Sequence, residues 1–438
     1  MFRLMTYRSL LPVLMMISIG SMSQDTLKLT ATEAVAMALE KNHGIRLAKL
    51  EADAAELLDH PGEAGMLPIV GLTGTYDINN SATRQQFFNG DVREADNANI
   101  RAADVDLTAE WTIFDGLTMF ATRERLATLA LLGRTRLRQE IETTIFDVLA
   151  TYYQVVQIQK AIEVRREGVR TSKERLAIAE AGERIGTASG LVVVQARLDL
   201  SADSAAVLEM KAQAANATAQ LNVLLGSDPS VPIGVLDTIP VTGELDLATI
   251  QQQARSNNSG LLQAQQLQLT SDIAVRELRG ALFPRLSIYG NYGYTQSTSD
   301  VGILQSNRSL GPNYGARVSI PLFSGGRADR AMRVAKIQQE QAALTTEEMA
   351  LRLEQQVLEG WTDHQLARQR VALEEQDLVG IRRQVDVALE SYRIGLLTPV
   401  ELRDIQQGYM DAEDRLLIAR YEAQIAELRL KVLAGGLL

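Results

Sequence analysis

Residues 392–404 read YRIGLLTPVELRD. Gly395 and the Thr398-Pro399 step break a long helical register, and two acids, Glu401 and Asp404, follow the break. The core of this stretch also occurs 209 positions earlier, as Arg184-Ile185-Gly186, where Val192 and Gln195 stand in place of the acids. A helix interrupted twice at matching places predicts a duplicated chain, and repeats decide architecture before any single motif does.

Other pairs extend the duplication. Asn42, Gly44 and Ile45 lie 23 to 26 residues before Pro68; Asn258, Gly260 and Leu261 stand at the same distances before Pro284, an offset of 216. Phe114-Asp115-Gly116 matches Phe323-Ser324-Gly325 at the offset of 209. The seven-residue difference falls between Pro68 and Phe114, which predicts a longer loop there. Each half reads as a helix, two strands, one very long helix, a glycine break and a return helix. The expected units are an export signal over 1–23, a first repeat over 24–227, a connector over 228–246 and a second repeat over 247–438. Three prolines make the connector non-helical.

Composition favours helices: 22% of the 438 residues are charged, only 5% are aromatic, and Ala, Leu, Gln, Glu and Arg recur in long runs. The net charge of −10 argues against a nucleic-acid partner. Without cysteine, disulfides and thiolate metal sites are excluded. Arg3, Arg8, the apolar run Leu10–Ile19 and the small residues before Gln24 read as a secretory signal, its run too short to span a bilayer. Removing both arginines takes the charge to −12. Beyond residue 23 no apolar run reaches the length of a transmembrane helix, which leaves a membrane β-barrel open.

Strand periodicity points to such a barrel. Val70, Leu72, Gly74, Tyr76 and Ile78 alternate with polar or small residues, as do Leu286, Ile288, Gly290, Tyr292 and Tyr294. Val105, Leu107, Ala109, Trp111 and Ile113 oppose Asp106, Thr108, Glu110 and Thr112; Ala316, Val318, Ile320 and Leu322 oppose Arg317, Ser319 and Pro321. Segments of about 10 residues with one apolar face suit a bilayer outside and a wet lumen inside. Four strands cannot close a barrel, so several chains must share one, and three would supply twelve strands.

The long helices carry a seam. Ile141, Val148, Val155, Ile162, Val169 and Leu176 recur every seven residues, and Ala350, Val357, His364, Val371, Leu378 and Val385 repeat the row. No proline interrupts 117–185, a stretch that would reach ~100 Å as one helix. Catalytic chemistry is missing: His43, His60 and His364 lie far apart, and neither a phosphate loop nor a nucleophile elbow occurs. No enzyme activity, metal or cofactor is expected.

Taken together, the duplicated plan, Leu67-Pro68 and Phe283-Pro284 before the strands, Phe114-Asp115-Gly116 and Phe323-Ser324-Gly325-Gly326 after them, and the glycine breaks resemble the TolC-like outer-membrane efflux protein family. The resemblance implies a mainly α fold with membrane β: long helical hairpins forming an α-barrel, and four strands per chain in a shared trimeric 12-stranded β-barrel. It implies a passive exit duct in the outer membrane, its helices in the periplasm, opened when a periplasmic adaptor and an inner-membrane transporter dock. It places a constriction of acids at Glu401 and Asp404, and hairpin tips that contact the adaptor at Gly186, Ser189, Gly395 and Thr398. The chain departs from the family pattern by carrying Glu401 in place of an Asp, Val192 in place of the first-half acid, and His60-Pro61-Gly62 where the second copy continues its helix. A poreless periplasmic scaffold or adaptor would share the hairpins but would not need four amphipathic strands.

Overall fold

The computed structural model describes residues 27–240, 243–394 and 396–437, so the expected export signal lies outside it. In chain order the first half comprises β1 (Leu27–Leu29), α1 (Ala31–Lys41), α2 (His43–Leu58), β2 (Ile69–Gln86), β3 (Val92–Phe114), α3 (Thr118–Arg184) and α4 (Gly190–Leu224). The second comprises β4 (Ile233–Val235), α5 (Leu247–Asn257), α6 (Ser259–Gly280), β5 (Arg285–Ser299), β6 (Ser306–Ser319), α7 (Arg327–Arg393) and α8 (Pro399–Leu433).

The duplication is geometric as well as textual. Helices α3 and α7 each run 67 residues without a break, and α4 and α8 each run 35. At 1.5 Å per residue the long pair spans about 100 Å. Both seams are real: Val148, Val155, Ile162, Val357, His364 and Leu378 are buried, and the other seam residues are half-buried. The paired asparagines have a shared task. Asn42 caps α2 by accepting from Ile45 N and donates its amide to Leu224 O at the end of α4; Asn258 does the same for α6 and Leu433 O at the end of α8. Each capping residue therefore ties a short helix to the return helix of its own half.

A waist of packed side chains holds the middle of the molecule. Val148, Tyr152 and Val155 of α3 meet Ala34 and Ala38 of α1, Leu221 and Leu225 at the end of α4, and Ile233 of β4. The Tyr152 hydroxyl donates toward Leu29 O and Asp237 Oδ2 at 2.9 and 3.0 Å, and burial pushes its pKa up to about 12. β1 and β4 pair in parallel, so the connector is pinned to the start of the first repeat.

The sheet runs β2-β3-β5-β6, all antiparallel. Its registered rows put Leu72, Leu107, Tyr292 and Pro312 on one face and Thr73, Asp106, Gly293 and Gly311 on the other. The outer face leaves Leu72, Tyr76, Ile78, Leu310, Tyr314 and Val318 mostly exposed, an arrangement that makes sense only against lipid. Three details correct the sequence reading. The strands run 14 to 23 residues rather than about 10, because polar residues near the hairpins still pair. The extra length of the first half lies in β2 and β3, not in a loop. β6 ends at Ser319, so Ile320 and Leu322 lie beyond it.

At the helix-to-strand step the halves do differ. α2 stops at Leu58, six residues short of its counterpart, and the chain turns through Pro61, where Gly62 N donates to His60 Nδ1 at 3.1 Å. Trp111 Nε1 clamps that turn by donating to Met66 O at 2.8 Å.

Candidate functional site at the hairpin tips

Both tips are built alike from local sequence. Gly186 takes a left-handed φ of +79° after α3, allowing Thr187 N to reach back to Gly182 O at 2.8 Å. Leu396 N makes the matching bond to Ser391 O at 2.9 Å, while Gly395 lies outside the described residues. The return helices then start differently. Ser189, at the N-cap of α4, makes no side-chain cap bond. Thr398, at the N-cap of α8, accepts from Glu401 N, and the Glu401 carboxylate accepts from Thr398 N and Oγ1 at 2.8 and 2.7 Å. This is a complete capping box, with Pro399 in the first turn.

The structure thus separates the two acids expected at the constriction. Glu401 is exposed but committed to Thr398, whose backbone N–H and then hydroxyl hold the carboxyl below the usual range, so it is ionised at neutral pH. Asp404 is also exposed, one turn on, and no hydrogen bond among the described residues commits it. Leu402 between them is buried. Around the turns, Ile185, Leu191, Ile394, Leu396 and Val400 are all more than 60% exposed, an apolar cluster at the far end of the helices.

Just above the tips lies a polar cluster that sequence reading did not single out. Arg403 of α8 reaches across to the first hairpin and grips Asp203 of α4 with both amino groups, at 2.6 and 2.7 Å. Ser172 of α3 donates to the same carboxylate, and Arg175, one turn further along α3, pairs with Asp199 at 3.0 Å. Two to three turns higher, Arg165 of α3 pairs with Asp414 and Asp411 of α8. Side chains from α3, α4 and α8 therefore tie one hairpin to the other. The signal was present as Ser172 and Arg175 facing Asp199 and Asp203 at similar distances from Gly186. Arg403 could not be assigned because its partner lies 200 residues away.

Burial pushes the Asp203 carboxyl up, but the bonds from Arg403 and Ser172 and the charges of Arg403 and Arg175 outweigh it and leave it below the usual carboxylate range. A depressed folded pKa gives stabilisation that is present above the unfolded value of 3.8 and lost as pH falls through the lower folded value. The cross-hairpin tie is expected to hold unchanged from roughly pH 8 to pH 5. Open probability recorded across that range checks this: a rise between pH 7 and pH 5 would place the controlling group elsewhere.

The three histidines are not brought together. His60 sits in the turn before β2, His43 starts α2, and His364 is buried in the α7 seam. No group of acids and histidines suited to a metal occurs among the described residues. Nor, among them, is any helix long and apolar enough to cross a membrane.

Long paired hairpins below an amphipathic sheet define a membrane exit channel, and comparison places it. The model of the outer membrane efflux protein family matches residues 34–227 and 250–436, one segment in each half, and the chain belongs to that family. The outer membrane efflux protein BepC of Brucella suis is 22% identical over 364 residues, covering 82% of this chain and 75% of BepC. The alkaline protease secretion protein AprF of Pseudomonas aeruginosa is 24% identical over 445 residues, covering 99% and 90%. The CmeC outer membrane channel of Campylobacter jejuni superposes with a TM-score of 0.80 at 16% identity, over 93% of this chain and 85% of CmeC. The protein is an outer-membrane efflux channel, not an enzyme, and the poreless scaffold is set aside.

Proposed function

We propose that three copies of this chain close into one duct, passive and gated at the hairpin tips. The carrying observation is that the repeat leaves matching faces open. Helix α3 packs on α2 and α4 of its own half and on α6 and α8 of the other, whereas α7, among the described residues, packs on α5, α6 and α8 of its own half and has no counterpart of that second pair against its other side. That side of α7 carries Ile337, Leu344, Leu351 and Leu358 at intervals of seven, each more than half exposed. α2 and α4 present Leu47, Leu50, Leu57, Leu191, Val194 and Leu198, equally exposed. Repeat symmetry seats α2 and α4 of one copy on α7 of the next, as α6 and α8 seat on α3 within a chain. The sheet edges β2 and β6 meet in the same operation.

The number follows from the strands. Two copies would give eight, a barrel whose interior side chains fill; three is the smallest number that leaves a channel. Protein extracted from membranes should therefore have the native mass of three 48.0 kDa chains, less any signal removed. A single-chain mass that still conducts would contradict this.

The apolar tips offer a docking surface to a periplasmic adaptor working with an inner-membrane transporter, with Gly186, Ser189, Gly395 and Thr398 as the contact residues. Glu401 and Asp404 of three copies form a ring of six carboxylates that favours cations. Because Glu401 also caps α8, alanine would mix loss of charge with loss of a cap. Glu401→Gln with Asp404→Asn keeps the capping geometry, since glutamine serves in a capping box. This pair is expected to lower the cation-to-anion permeability ratio several-fold. An unchanged ratio removes the acids from selectivity and leaves Glu401 as a helix cap. The cargo is chosen by the transporter; efflux and protein secretion are both represented in the names of the relatives.

A further inference from the structure

The lipid-facing side of the sheet carries two arginines that the channel function does not use. Strand register fixes their direction. Arg308 of β6 lies in the row Tyr76, Ala103, Gln296, Arg308, and Arg101 of β3 in the next row, Ile78, Arg101, Thr298, Ser306. Both rows share the face of Leu72, Leu107 and Tyr292 and alternate with the lumenal rows of Asp104 and Asp106. Counting outward from the helices, the last row on this face without a polar side chain other than tyrosine is Gly74, Val105, Tyr294 and Leu310, and the two arginine rows that follow mix Tyr76 and Ile78 with polar partners, which sets the arginines at the edge of the band. From Leu310 down to Val318, the outward positions of β6 span about 19 Å at 3.3 Å per residue and a 45° tilt, which fits within the ~25 Å apolar band of such barrels. The hairpin end of the sheet lies opposite the helices, so these positions meet the headgroups of the outward leaflet.

Both side chains are exposed, and neither makes an ion pair or hydrogen bond among the described residues. Arg84, near the end of β2, is by contrast paired with Glu94 at 3.0 Å. Arg101 and Arg308 flank β5 diagonally, two strands and one row apart, about 12 Å between backbones. Two long guanidinium arms over that span converge on a headgroup bearing two phosphates, for which the planar fork is the matching donor.

We propose that Arg101 and Arg308 form a binding site for a bisphosphorylated glycolipid of the outer leaflet, one per chain, which seats the barrel at its proper height. The assignment rests on the strands crossing the outer membrane. Native mass spectrometry of the full protein in detergent, titrated with a bisphosphorylated glucosamine lipid and with its dephosphorylated counterpart, tests it. The phosphorylated lipid is expected to bind and Arg101→Gln with Arg308→Gln to weaken it on the order of 10-fold, while Arg84→Gln leaves it unchanged. Equal binding by the double variant, or equal binding of the dephosphorylated lipid, overturns the site. Channel conductance of the same preparation, retained in every variant, keeps that outcome separate from failure of the channel itself.

Discussion

Arg403→Ala is expected to turn a closed channel into a leaking one. The guanidinium is four-fifths buried between α8 and α4, and Asp203 is more enclosed still, at 10% exposure. Removing one member of such a pair strands the other and costs about 3 kcal/mol, which shifts a closed-to-open ratio on the order of 100-fold. Two readouts follow: higher resting conductance in planar bilayers, and greater entry of large antibiotics into cells. The exposed Arg370–Glu422 pair between α7 and α8 serves as the control, because such pairs contribute about 0.5 kcal/mol. Arg370→Ala should leave both readouts near the original. If Arg403→Ala channels rest at the original conductance, the two hairpins are not what closes the duct.

The second large effect concerns assembly. Gly116 turns the chain from β3 into α3 at a φ of +74°, and a Cβ there would run into Gly280 O and lie 2.7 Å from the Cβ of Phe283. Gly116→Val therefore combines left-handed backbone strain of about 1–2 kcal/mol with a backbone overlap that must push α6 away from α3. Overpacking adds about 1–3 kcal/mol. Little assembled protein should reach the outer-membrane fraction. The counterpart Gly325, at +62° with no neighbour within 4 Å, keeps only the backbone strain, so Gly325→Ala should still assemble. Equal loss at the two positions would show that strain, not the α3–α6 approach, is what matters.

The contrast between these glycines shows how far the sequence could be read. The copies Phe114-Asp115-Gly116 and Phe323-Ser324-Gly325 are equivalent in sequence, and the duplication, the heptad seams and the alternation of the strands were all visible because they are periodic. Equivalence in surroundings was not visible, since the first glycine is covered by α6 of its own chain while the second faces the side left open. The candidate site divides in the same way. Glu401 and Asp404 could be located from their distance to Gly395, and the break itself from the Thr398-Pro399 step. The capping box that occupies Glu401 is local and was legible as Thr398-x-x-Glu401, although charge at a constriction was the reading that the resemblance suggested. The Arg403–Asp203 tie depends on α8 lying against α3, which brings Arg403 within reach of α4, a tertiary contact with no local signature. Strand length was underestimated for a related reason. Near the hairpins the ladder is held by backbone pairing, and the apolar alternation that marks a strand in sequence stops where the lipid stops.

Reconstitution into planar bilayers tests the central claim most directly. Purified protein, extracted from membranes, is expected to insert as discrete, cation-preferring channels of uniform size that conduct without any energy source. Failure to insert any channel, from protein shown to retain its helical content, would contradict the reading of this chain as an outer-membrane duct.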